Sequence, residues 1–258
     1  MGTRAIIVLF LVFVSLPFSS FYRGDSSSGL SAASRADRRE AARLVKLAHK
    51  QDDVLAVRTL SRALLLNPDS SPAYYRLGYL HHKMNRRVAA RRYYTQAIKL
   101  RRCHAKALNN LAGLNLDQGK AATAEKLYRK AVQCRARIHA PYYNLALILQ
   151  EKGDAAGAAR FYRRTLRIKP DHHRSHHNLG LIYTAQKRTL NKGVGHLKRA
   201  AELNPRNALN HFSLGKGLHA LEKTAEAREA LQRALGLAGR GSVLRRDVLR
   251  YLQAMDAK

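Results

Sequence analysis

The sequence predicts an all-α solenoid of stacked antiparallel helix pairs. Small residues return every 34 positions, and Leu or an aromatic residue returns in phase with them. The composition also favours helices: Trp is absent, Pro numbers only 6, and 46% of residues are hydrophobic. A chain of 258 residues with that apolar content can bury a core and does not read as disordered.

The repeat begins at Asp37 and gives six helical hairpins, 37–70, 71–104, 105–138, 139–173, 174–207 and 208–239. In the first helix of the pairs a bulky position reads Arg43, Leu77, Leu111, Leu145, Leu179, Leu214. The next reads Leu44, Gly78, Ala112, Ala146, Gly180, Gly215. In the second helix a small position reads Ala56, Ala90, Ala124, Ala158, Gly193, Ala227, followed by Leu60, Tyr94, Tyr128, Tyr162, Leu197, Leu231. A further one reads Ala63, Ala97, Ala131, Thr165, Ala200, Ala234. Two helices approach closely only where little side chain separates them. The small residues therefore mark crossings within and between hairpins, and the Leu and aromatic residues fill the volume beside them. One hairpin cannot cover its own apolar face, so stability comes from stacking.

The first hairpin lacks the Leu and Gly of its first helix, as a terminal unit would. The fifth carries one extra residue around Thr189 to Lys192, which predicts a longer inter-helix turn. After Gly239 and Gly241, Ser242 is placed to N-cap a last helix within 240–258 whose side Leu244, Val248, Leu252, Met255 seals the array.

This pattern resembles the tetratricopeptide repeat (TPR) family over residues 37–239, and the resemblance implies a right-handed superhelix that acts as a protein-binding scaffold. The extra residue and closing helix also resemble the C-terminal repeats of the transmembrane and TPR-containing O-mannosyltransferases of the endoplasmic reticulum. Those proteins carry their chemistry in a membrane domain that this sequence does not show, so the likeness would cover a non-catalytic part.

The N-terminus lies outside the repeat. Arg4 precedes twelve apolar residues, Ala5 to Leu16, and eighteen if the run is counted to Tyr22. A secretory signal peptide and an uncleaved anchor both fit residues 1–22, the shorter run falling below the roughly 20 residues of a comfortable span. Position 6 is Ile, which argues against myristoylation. Residues 23–36 read as a flexible linker containing Arg23-Gly24-Asp25, a tripeptide expected by chance. These features place the protein in the secretory pathway, in the endoplasmic reticulum lumen or anchored to a membrane. Cys103 and Cys134 fall in different hairpins, one in a loop and one within a helix, which favours two separate thiols over a bridge between them.

The first helices should line a concave face. There Arg76, Asn110, Asn144 and Asn178 share one position, and the three Asn form a ladder able to bind an extended peptide backbone. The ladder is similar to that of the O-GlcNAc transferase repeats. Around it stand Lys106, Asn109, Tyr143, Arg174, His177 and Lys216, a set suited to an acidic or carboxylate-ended peptide. The two-Lys, two-Asn, one-Arg clamp of the family's chaperone-binding members is incomplete here, so chaperone tails are not expected.

Lys and Arg number 48 against 17 acids, a formal charge of +31. On the second helices Arg62, Lys130, Arg164, Arg199 and Arg233 fall in one register. Arg129, Arg163 and Lys198 fall in a second, and Arg92, Lys126 and Arg160 in a third. Such stripes describe either a solvated outer face or a binder of nucleic acid, glycan or anionic lipid.

His173 and His177 stand one turn apart, but no acidic or Cys third ligand accompanies them, and no metal site or cofactor is expected. The run Gly215-Lys216-Gly217-Leu218-His219-Ala220 mimics a dinucleotide fingerprint yet lies inside a helix with no strand before it. No P-loop, nucleophile elbow or zinc-protease motif is present, so the protein is not expected to be an enzyme.

Overall fold

The computed structural model describes residues 33–134 and 137–256; the expected signal or anchor at 1–22 and most of the linker lie outside them. Thirteen α-helices and two short 3-10 turns make up the described residues, with no strand among them. The helices are α1 (Arg35–Leu47), α2 (Asp53–Leu66), α3 (Ser71–Lys83), α4 (Arg87–Leu100), α5 (Ala105–Leu116), α6 (Ala121–Gln133) and α7 (Ala140–Glu151). They continue as α8 (Ala155–Ile168), α9 (His173–Thr184), α10 (Leu190–Leu203), α11 (Ala208–Ala220), α12 (Thr224–Leu237) and α13 (Val243–Asp256). None of them is long and apolar enough to cross a membrane.

Each helix packs on the next, giving six antiparallel pairs and a closing helix. Odd-numbered helices also meet at one remove, α1 with α3, α3 with α5, α5 with α7 and α9 with α11. The solenoid thus curves with its odd helices drawn together on the inside.

The turns follow from local chemistry. Four of the pairs reverse direction through a residue of positive φ at one equivalent position: Asn85 (58°), Gly119 (71°), Gly153 (81°) and Glu222 (61°). The fifth pair, with its extra residue, turns instead through a 3-10 segment, Lys187–Thr189, anchored where the Thr189 hydroxyl donates to the Tyr183 carbonyl (2.7 Å). Ser34 and Asp37 form a capping box that starts α1 at Arg35, two residues before the first repeat position read from the sequence. At the far end Ser242 Oγ accepts from the Arg245 N–H, and α13 buries Val248 and Met255 against α11 and α12.

The small positions are where helices touch. Ala56, Ala90, Ala124, Ala158 and Ala227 are fully buried. A Cβ added at Gly78 would stand 2.6 Å from the Tyr94 ring, and at Gly193 it would stand 2.6 Å from the Thr184 backbone nitrogen. The neighbouring bulky position buries Leu60, Tyr94, Tyr128, Tyr162, Leu197 and Leu231 to 2% exposure or less.

A buried phenol needs a hydrogen-bond partner, and the next hairpin supplies it. Asn110 Nδ2 donates to the Tyr94 hydroxyl (3.1 Å), and Asn178 Nδ2 donates to that of Tyr162 (2.9 Å). Tyr128 is paired in the same way with Asn144. Burial pushes all three phenols well above their ordinary pKa, and the asparagines oppose that rise. Tyr162 in turn donates to Gln150 Oε1 (2.8 Å). Each seam between hairpins two to five therefore carries a Tyr–Asn bond.

One expectation is corrected. Cys103 and Cys134 are not separate thiols: they form a disulfide, their Cα atoms 5.4 Å apart. Cys103 lies in the loop after α4, and Cys134 caps the C-terminus of α6. Hairpin stacking sets the ends of these successive outer helices side by side, within the span a disulfide bridges.

Two stability measurements follow. Gly193→Ala should destabilise the protein by about 1–3 kcal/mol in urea unfolding through the clash at the crossing. Gly195→Ala, in the same helix with nothing within 4 Å of its new Cβ, should be neutral or stabilise by up to about 1 kcal/mol. Asn178→Ala should cost about 1 kcal/mol by removing one of the two partners of the Tyr162 hydroxyl, and that cost should shrink when Tyr162 is already Phe.

Candidate peptide-binding groove

The inner face is built by α3, α5, α7, α9 and α11. Lys106, Arg174 and Lys216 stand exposed along it, and Arg76, Asn109, Asn110, Tyr143, Asn144 and Asn178 are half-buried. Asn109 joins the ladder: its Nδ2 donates to Asn110 Oδ1 (3.1 Å), and its Oδ1 accepts from Asn144 Nδ2 (3.2 Å). The ladder is thus a connected network across α5 and α7, with one N–H of each amide committed to a protein partner. Asn144 and Asn178 retain acceptor capacity at Oδ1 for a ligand, and Asn178 keeps its second N–H as well.

Aromatic residues form the rest of the floor. Tyr143 lies 4.7 Å from the His172 ring, and Tyr75 lies 4.8 Å from His104, two periods of the repeat apart. Both histidines cap the following helix, His104 Nδ1 accepting the Ala107 N–H and His172 Nδ1 the Ser175 N–H (3.2 Å each). A capping Nδ1 must stay unprotonated, and burial, reinforced by His139 and neighbouring cations, lowers the His172 pKa to about 4. Arg174 is hydrogen-bonded to Tyr143. At the C-terminal end the Lys216 ammonium lies over Phe212 (5.6 Å) and Tyr251 (6.0 Å), so α13 contributes to the groove's closing wall.

Two predicted groove residues are less accessible than the sequence suggests. His177 is only 8% exposed and bonds to Asn210, while its buried Nδ1 has no hydrogen-bond partner. The Arg76 guanidinium stacks on Tyr79 (5.1 Å), its Nε buried and unpartnered. Conversely, Tyr75 and Tyr79 belong to the groove and were missed. Both sit at inward-facing positions of α3, where the repeat register alone would have marked them.

The basic positions of the second helices separate from this face. Arg62, Arg92, Lys126, Arg129, Lys130, Arg160, Arg163, Arg164, Lys198, Arg199 and Arg233 are all exposed. Arg129 pairs with Glu125 (2.8 Å) and Arg199 with Glu202 (3.0 Å). Near the fifth hairpin His176 Nε2 donates to the Pro170 carbonyl (3.0 Å), and His176 Nδ1 accepts from His196 Nδ1 (3.0 Å). Among the described residues no three His, Cys, Asp or Glu side chains converge on a point that could hold a metal.

Comparison with known proteins supports the same architecture. Family models of the tetratricopeptide repeat match residues 83–141 and 139–172. No curated protein matches the sequence. Among solved structures the chain is similar to pilF of Pseudomonas aeruginosa, with a TM-score of 0.73 at 16% identity over 84% of this chain and 100% of that one. It is also similar to YrrB, described as a TPR protein with an unusual peptide-binding site, with a TM-score of 0.63 at 16% identity over 75% of this chain and 97% of that one. The type IV pilus biogenesis factor PilW gives a TM-score of 0.61 at 17% identity, covering 84% of this chain and 100% of that one. At such identities these likenesses speak to fold. With two family models matched over residues 83–172 and helix pairs of the same design on both sides, the chain carries tetratricopeptide repeats in its middle and keeps their fold along the array.

Proposed function

We propose that this scaffold holds an extended segment of a partner protein in its concave groove, and that it does so without catalysing a reaction. The observation that carries this reading is the combination of an amide network with flanking cations on one curved face. The Oδ1 atoms of Asn144 and Asn178 are acceptors for backbone N–H groups, which every peptide offers regardless of sequence. Exposed Lys106, Arg174 and Lys216 add selectivity for acidic side chains or a terminal carboxylate. The peptide site described for YrrB, a structure of similar fold, is in keeping with it.

The disulfide bears on where this happens. Cystine bridges persist in oxidising compartments and are rare in the cytosol. The Cys103–Cys134 bridge therefore supports the secretory-pathway placement inferred from the apolar N-terminal run, whether that run is cleaved or anchors the protein.

A displayed library of random linear peptides, selected on the full chain, should enrich acidic sequences. Lys106→Ala/Arg174→Ala/Lys216→Ala should weaken the selected peptides by about tenfold while leaving the fold intact by circular dichroism. Enrichment of neutral sequences that bind this variant equally well would sink the groove assignment. For location, cells expressing the full chain can be alkylated before lysis and the protein mapped without reduction. The linked Cys103–Cys134 peptide should dominate, whereas two alkylated thiols would place the protein in a reducing compartment.

A further inference from the structure

The outer face carries a second site, which stands apart from the groove. Two cavities open on it at repeat-equivalent places. One, of about 1000 Å³, runs along α4 and is lined by Tyr74, Tyr93, Arg86, Arg87, Arg91 and Arg92, among others. The other, of about 580 Å³, runs along α8 and is lined by Tyr142, Phe161, Arg160, Arg163, Arg164 and Arg167, with Val132 and Gln133 from α6. Tyr142, Phe161 and Arg160 follow Tyr74, Tyr93 and Arg92 by two full periods of the repeat. The paired rings take up the same arrangement, tilted with centroids 6.3 Å apart in the first cavity and 6.5 Å in the second. Neither lining contains a carboxylate.

Between the two cavities α6 exposes Lys126 and Lys130, so basic side chains run unbroken across α4, α6 and α8. Lys198 and Arg199 extend the basic side chains onto α10, but the equivalent cavity of the last hairpin, about 410 Å³, has Glu229 where the others have Arg92 and Arg160, and Glu202 and Glu226 also line it. Arginines are densest on α4 and α8, whose sequences carry three and four of them and no acid.

The chemistry narrows the occupant. Arginine presents a planar fork that matches a tetrahedral oxyanion in two-point contact. Arg87 is engaged with Asp117 (3.6 Å), and Arg91 with Asn115 (3.2 Å) and Gln118 (2.7 Å). Arg86, Arg92, Arg163, Arg164 and Arg167 make no ion pair among the described residues. The rings, by contrast, already have neighbours: Tyr93 packs against Tyr74 and His81 (5.0 Å to the latter), and Phe161 lies under the Arg160 guanidinium (5.2 Å). A single-stranded nucleic acid binds by stacking its bases on aromatic faces, and here those neighbours compete for them. The disulfide also favours an oxidising compartment, where the abundant linear polyanions are sulfated sugars.

We propose that the α4–α6–α8 face binds a linear sulfated glycan, with sulfate groups held by the arginines of the two cavities and the intervening chain crossing Lys126 and Lys130.

The test uses the full chain and heparin-derived oligosaccharides, with affinity measured by calorimetry at about physiological ionic strength. Arg92→Gln/Lys126→Gln/Arg160→Gln removes three charges from the track. Arg206→Gln/Arg240→Gln/Arg250→Gln removes three exposed charges elsewhere and serves as control. The first variant should weaken binding about tenfold or more, the control by less than about threefold, and the chemically desulfated glycan should not bind. Equal losses in the two variants would show a diffuse charge effect and overturn the proposal. So would equal binding of the desulfated chain, or tighter binding of a single-stranded oligonucleotide of matched charge.

Discussion

The whole structure depends on how closely two helices can approach at the small-residue crossings. At Gly193 the added methyl of an alanine would fall 2.6 Å from the backbone of α9, and at Gly180 the Leu197 side chain would be 2.7 Å away. Such contacts bring the two helices of a pair nearly backbone to backbone, and nothing larger than a methyl or a hydrogen fits between them. The bulky residue one turn on is then sealed inside. Where that residue is Tyr rather than Leu, the seal traps a hydroxyl, and the following hairpin supplies a partner, joined at Tyr162 by Gln150 of its own hairpin. The Tyr–Asn bonds are thus a consequence of close packing. They also set register, because an Asn one position away on its helix would not meet the phenol.

That dependence explains which parts of the molecule the sequence reveals. Positions whose role is to be small recur visibly, so the six hairpins and the closing helix could be read directly. The Asn ladder was visible as a pattern, but its commitment to buried phenols was not, since the two partners lie 16 residues apart in separate hairpins. The pattern alone does not show that one N–H of each asparagine is already spent inside the protein. The disulfide was misread for a related reason. Helical phase places Cys103 and Cys134 in different hairpins, and only the stacking of successive hairpins shows that the two outer-helix ends are neighbours. Tyr75 and Tyr79 stand at inward-facing positions of α3 that the register marks, but an aromatic residue there looks in the sequence like one that packs in the core.

Hairpins two and four are more alike than either is to the hairpin between them. They share the Tyr–His contacts on the inner face, Tyr75–His104 and Tyr143–His172, and the paired rings with arginines on the outer face. In hairpin three the ring positions become Leu108 and Leu127, and in hairpin five they become His176 and His196, which hydrogen-bond to each other. Packing repeats in every hairpin because every helix must nest, whereas this surface chemistry belongs to hairpins two and four; in hairpin six the ring positions become His211 and Ala230.

The disulfide lies within the same stretch of hairpins. It joins the loop after α4 to the end of α6, two of the three helices that carry the outer basic track, and it spans the seam where Asn110 meets Tyr94. A covalent tie there restrains the spacing between the second and third hairpins on the convex side, while the Asn109–Asn144 bond links the third and fourth on the concave side. Curvature in a stacked solenoid is the sum of small rotations between neighbours. Ties on opposite faces of successive seams oppose bending in both directions. Both ties lie in the middle of the array, where the amides of the groove and the arginines of α4 and α8 also stand.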